Sequence, residues 1–237
     1  MLSMKRPTRL TVSLPILLGI SIASFSTAVN AQRLFASEPS AAVAHQAVQI
    51  RGFEAVQLYS DDELVTLIRN NTHFTRVRDL DDCQLYQDIR AQAEVERRPV
   101  YQLLYGDMLA YAVCYEQDVS LGVAYMEHAA AQGMPEALEQ MGRYYHLGRF
   151  VQQDHNRALL YLREAAALGS LPAQKRFADL LLSGVGSPLD YEAAYHYLHN
   201  AVTGEHNEQR AIQQRLHELE RRLPPRIVER AKSPLDA

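Results

Sequence analysis

One spacing constrains this chain more than any other feature: residues of several kinds return every 36 positions. Asp118, Asp154 and Asp190 fall in register, as do Tyr125, Tyr161 and Tyr197, and Ala129, Ala165 and Ala201. The first two copies also align Gly106 with Gly142, Ala130 with Ala166, Gly133 with Gly169, and Ala137 with Ala173. A period of this length marks stacked repeats, in which no unit buries its apolar face alone and neighbours complete the core. Such stacks mostly hold partners.

Each copy reads as two helices. In the second copy Leu138, Met141, Tyr144, Tyr145 and Leu147 keep helical spacing, and Gly148 ends the run as a left-handed cap residue does. Asp154 then opens a helix, because a short carboxylate accepts from the unpaired N–H groups of the first turn. Asp118 and Asp190 are expected to cap in the same way. Ala158, Tyr161, Leu162, Ala165 and Ala166 form the buried side of that helix before Gly169 stops it. The alanines let neighbouring backbones approach, and Tyr125, Tyr161 and Tyr197 are read as core packing. The third copy departs, with Ala178 in place of the glycine and Glu205 where Gly133 and Gly169 stand.

These residues resemble the Sel1-like repeat, a relative of the tetratricopeptide repeat. The strings YMEHAAAQGMPEA (125–137) and YLREAAALGSLPA (161–173) carry the likeness. The expected fold is all-α: a helical-pair solenoid with capping helices at both ends. Repeats are expected over 100–204, in units of about 101–137, 138–173 and 174–204.

The ends are read separately. Lys5, Arg6 and Arg9 precede an apolar stretch, Leu10 to Phe25, and Val29-Asn30-Ala31 offers small residues for cleavage. This is the pattern of a cleavable signal peptide over residues 1–31, cut after Ala31 or Ala28, with an uncleaved anchor as the competing reading. No cysteine lies near the site, so no lipid anchor is expected. Residues 32–47 read as a flexible linker and 48–99 as an N-terminal helical segment. There Ser60-Asp61-Asp62-Glu63 is a capping box opening a helix to Arg69, and 81–96 a second helix. Residues 205–237 form a charged capping helix over 206–222, broken at Pro224 and Pro225, and a tail.

Export changes the charge balance. Losing Lys5, Arg6 and Arg9 leaves 21 of the 24 positive charges against 28 negative ones, a net of −7. An acidic chain without a basic patch is poorly suited to nucleic acid. Cys83 and Cys114 are the two cysteines. An even number in an oxidising compartment predicts a disulfide, and the repeat frame makes the two positions neighbours. Two buried free thiols are the alternative.

Catalytic chemistry finds no support. His196 and His199 share a helix face without a third ligand, whereas zinc requires three or four. There is no glycine-rich phosphate loop and no nucleophile in a recognisable setting. No catalytic, cofactor-binding or metal residue is assigned.

A narrower resemblance covers about residues 48–232. VQLYSDDELVTLI (56–68), DDCQLYQDI (81–89), YQLLYGDMLAYAVCYEQDVSLG (101–122), LEQMGRYY (138–145) and GSPLDYEAAYHYL (186–198) are similar to the MotX-like family of exported components of sodium-driven polar flagellar motors. The resemblance implies a non-catalytic periplasmic protein of the flagellar basal body. Its implied partners are a MotY-like T-ring protein and the B subunit of the sodium-driven stator. Two alternatives are a Sel1-like adaptor for envelope or polysaccharide-export assembly, and a cysteine-rich Sel1-like group associated with penicillin binding or hydrolysis. The second is disfavoured, because the second and third repeats lack cysteine.

Overall fold

The computed structural model describes residues 59–233. The expected signal peptide, the linker, and the start of the N-terminal segment lie outside them. Among the described residues every regular element is helical: α1 Asp61–Arg69, a π-helical turn Thr75–Leu80, α2 Tyr86–Glu94, α3 Pro99–Ala110, α4 Val119–Ala131, α5 Pro135–Leu147, α6 His155–Ala167, α7 Leu171–Leu182, a 3-10 turn Pro188–Asp190, α8 Tyr191–His199, α9 His206–Glu220 and α10 Pro225–Lys232. Helices α2 to α8 each pack on the next, while α9 and α10 close on α8, and α1 lies across α3 and α5.

Local chemistry explains the boundaries. Pro99, Pro135 and Pro172 sit in the first turns of α3, α5 and α7, where a missing N–H costs nothing. The Ser60 hydroxyl accepts from the Glu63 N–H at 3.1 Å. Asp118 and Asp154 cap α4 and α6, accepting from Leu121 and from Asn156 and Arg157. Asp190 does not cap. The 3-10 turn occupies its place, Ser187 caps that turn, and the Asp190 carboxylate instead pairs with Arg163 at 2.6 Å.

The second N-terminal helix begins at Tyr86 rather than at 81, because Asp82 and Cys83 adopt left-handed φ of 48° and 55° and break the run. The chain before them winds as the π-helical turn.

The core is one continuous strip. Ala129, Ala130, Ala137, Ala165, Ala166 and Ala173 are buried, with Met108, Met126, Met141, Leu162, Phe177 and Leu198 between the layers. The repeated tyrosines are only partly inside: Tyr125, Tyr161 and Tyr197 are half-buried along its margin. An amphipathic ring packs its face while its hydroxyl reaches outward, and the Tyr125 hydroxyl meets Glu94 at 3.4 Å. Two buried amides that the periodicity did not reveal tie layers together. Gln102 and Gln174 donate to the Ala93 and Ala166 carbonyls, satisfying the open C-terminal ends of α2 and α6.

Candidate functional site: a clasp between the N-terminal segment and the repeats

The densest chemistry lies where the N-terminal segment meets the first two repeats. Cys83 is joined to Cys114 by a disulfide with Cα atoms 5.6 Å apart, closing a sequence separation of 31. Cys83 follows the π-helical turn and Cys114 lies in the internal turn of the first repeat. The left-handed backbone of Cys114 belongs to the repeat itself. Cys114, Phe150 and Gly186 are 36 apart and have φ of 60°, 62° and 93°. Ala112, Gly148 and Gly184, two residues earlier, are left-handed as well.

Beside the bridge lies a second tie. Tyr101 donates to the Tyr59 carbonyl at 2.8 Å and accepts from the Tyr59 N–H at 3.3 Å. The Tyr59 hydroxyl donates to Asp81, and Arg76 lies over its ring. Burial, then Asp81, pushes the Tyr59 phenol above its ordinary range. Arg98 pairs with Asp61 at 2.7 Å and Arg69 with Glu136 at 2.6 Å, so α1 is held at both ends.

Under α1 sits a buried polar knot. The Asp107 carboxylate is 2% exposed, and Gln140 donates to its Oδ1. The Tyr144 hydroxyl reaches the same oxygen at 3.4 Å and meets the Tyr111 hydroxyl at 2.9 Å. His73, itself 4% exposed, places Nε2 3.4 Å from Oδ2. Burial, then the Asp107 charge, raises the Tyr144 phenol well above its usual range. A buried carboxylate needs donors to offset its desolvation, and here Gln140 and Tyr144 of α5 supply them while His73 of the N-terminal segment lies in ionic range.

An aromatic row completes the clasp. Tyr86, Tyr115, Tyr105 and Tyr125 meet edge-to-face with centroids 5.4, 5.2 and 4.9 Å apart. The Tyr115 hydroxyl donates to the Tyr86 carbonyl, and burial pushes its phenol up. The knot and the row escaped sequence reasoning. Their one signal was aspartate, glutamine and tyrosine at positions of helices that otherwise face the core.

Elsewhere, His196 contacts the Ala231 carbonyl at 2.9 Å and His199 stacks on Tyr195. Among the described residues no three metal-capable side chains converge. The arrangement is one of attachment: it locks a helical arm to a repeat stack.

Comparison with known proteins fits this geometry. Residues 99–134, 135–170 and 171–206 match the Sel1 repeat. The sodium-type polar flagellar protein MotX of Vibrio parahaemolyticus is 54% identical over 177 residues, 75% of this chain and 83% of that protein. The chain belongs to the MotX family. The stretch shared with MotX is longer than the three Sel1 repeats together, so the likeness extends beyond the repeats. An uncharacterised protein of Neisseria meningitidis, NMB1327, is 37% identical over 74 residues, 31% of this chain and 15% of that protein.

Two solved structures resemble this MotX-family chain. One is c5321, a protective antigen of uropathogenic Escherichia coli with an SLR fold. It is 22% identical with a TM-score of 0.49, over 62% of this chain and 30% of that one. The other, a Sel1 repeat protein from Oxalobacter formigenes, is 21% identical with a TM-score of 0.46, over 56% and 57%.

Proposed function

We propose that this chain is a non-catalytic structural component of a polar flagellar motor, working in the periplasm at the basal body. The observation that carries the reading is the 54% identity to MotX across most of both proteins. The clasp supports it, because torque transmission requires a body that does not come apart layer by layer. A repeat stack opens most readily at its ends, and here the N-terminal end is bridged, ion-paired and knotted.

In finer terms, the chain joins the T ring with a MotY-like partner and helps fix stator units through the stator B subunit. Its proposed organisation is a leader over 1–31, a linker over 32–47, a clasp segment over 48–99, repeats over 100–204 and a cap over 205–237. Ions pass through the stator, so no cofactor is assigned to this chain.

The test is purification of flagellar basal bodies from native cells, with detection by antibody. Enrichment that disappears when the MotY-like partner is deleted is the expected result. Basal bodies without the protein, from cells that swim normally without its gene, would move the reading to an envelope adaptor.

A further inference from the structure

Charge is distributed unevenly along the stack. Residues 59–98 hold nine carboxylates against six cations, and residues 99–205 twelve against six. Residues 206–232 reverse the balance, with seven cations against four carboxylates. The packing order α2 to α8, with α9 and α10 closing on α8, puts the acidic N-terminal segment and the basic final helices at opposite ends.

At each end charge is left without an internal partner. In the N-terminal segment Arg98 is taken by Asp61, Arg76 by Asp81, Arg90 by Glu94, Arg78 by Asp79 and Arg69 by Glu136, and Arg97 is exposed without a carboxylate partner among the described residues. Asp62, Glu63, Asp82 and Glu96 remain exposed without a cation in salt-bridge range among the described residues. Asp62 and Glu63 follow Asp61, which pairs with Arg98 two residues beyond Glu96, and Asp82 follows Asp81, which holds the Tyr59 hydroxyl. Val95 and Leu80 protrude there, 69% and 67% exposed. At the other end, Arg222 meets Tyr191, its hydroxyl at 3.3 Å and its ring face, and among the described residues neither Arg222 nor the exposed Arg226 has a carboxylate partner. Leu189, two residues before Tyr191, is 88% exposed.

We infer that the two ends are faces of one heterologous contact, in which the α9–α10 end of one copy docks on the α2 end of another. Each face carries an excess of unpaired charge of one sign, four carboxylates against Arg97 at the first and Arg222 and Arg226 at the second, beside a large uncovered apolar side chain, and the two excesses are opposite. A face-to-face dimer would set like charges against each other, so the contact must run head to tail and can extend into a ring or filament. This reading stands on surface chemistry and does not depend on the motor assignment.

The test is sedimentation velocity of the purified chain over a concentration series, at low salt and at high salt. Association beyond a dimer at low salt, lost at 1 M salt where the screening length is about 3 Å, is expected. Asp62→Lys with Glu96→Lys should weaken it about tenfold or more, and so should Arg226→Glu with Arg222→Glu. Circular dichroism checks that both variants keep the parent's helicity and melting. Each variant alone has two ends of one sign, so mixing the two should restore association. A monomer under every condition, a salt-insensitive dimer, or variants that associate like the parent would overturn the contact. None of these results bears on co-purification with basal bodies.

Discussion

Gly106 on α3 and Gly122 on α4 pass so closely that a β-carbon built on either would lie 2.6 Å from the carbonyl oxygen of the other. No side chain can yield there, because both obstacles are backbone. Gly106→Ala or Gly122→Ala should therefore force the helices apart and cost about 1–3 kcal/mol. Gly142→Ala meets the buried Leu162 side chain first, at 2.6 Å, and a backbone carbonyl only at 3.3 Å, so it should cost less. Urea unfolding of the three variants checks the order.

Cys83→Ser opens a closed loop of 31 residues and should destabilise the chain by roughly 3.5–4 kcal/mol in the chain-entropy treatment. Electrophoresis with and without reductant, with thiol labelling of the parent, tests the bridge itself. Equal mobility and two labelled cysteines in the parent would rule it out.

Asp107→Ala leaves Gln140, Tyr144 and His73 facing a void in the buried knot. The expected loss is about 2–4 kcal/mol, more than a surface carboxylate would cost. Combined with Gln140→Leu it should be strongly non-additive, since the two share one hydrogen bond. A double-mutant cycle in denaturant measures the coupling.

Asp118→Ala and Asp154→Ala remove side-chain caps and should each cost about 1 kcal/mol, almost independent of salt. Asp190→Ala loses an ion pair with Arg163 instead, so its smaller cost should fade as salt is added. Thermal melts at two ionic strengths separate the classes.

Several buried phenols sit above their ordinary range: burial acts first on Tyr59, Tyr115, Tyr144 and Tyr195, with Asp81, Asp107 and Glu220 adding to it at Tyr59, Tyr144 and Tyr195. A folded value above the unfolded one means the contribution is complete below pH ~10 and is lost as pH rises toward the folded value. Phenolate absorbance should thus show part of the 13 tyrosines ionising only with unfolding. Tyr144→Phe should remove one of these late ionisations.

The repeat frame was legible because its signals are local. Prolines in first turns, aspartate caps and glycines at left-handed positions act within a few residues of themselves. Asp190 shows where that reading stops: its register matches Asp118 and Asp154, yet the 3-10 turn at Pro188–Asp190 moves the helix start and frees the carboxylate for Arg163. The break at Asp82–Cys83 was equally hidden, since neither residue announces a left-handed backbone as glycine does.

By itself, then, the sequence determined the all-helical repeat, its period and the aspartate caps of α4 and α6, because hydrophobic spacing and end chemistry are short-range. Tertiary structure decided which equivalent positions are inside. Asp107, Arg143 and Asp179 occupy one repeat position. Asp107 is 2% exposed, whereas the Arg143 and Asp179 side chains are 27% and 47% exposed. The difference comes from the N-terminal segment, which brings His73 onto the first repeat and leaves the later ones open. A carboxylate that would otherwise be solvated becomes the centre of a buried knot because a distant part of the chain covers it, and no local pattern records that contact.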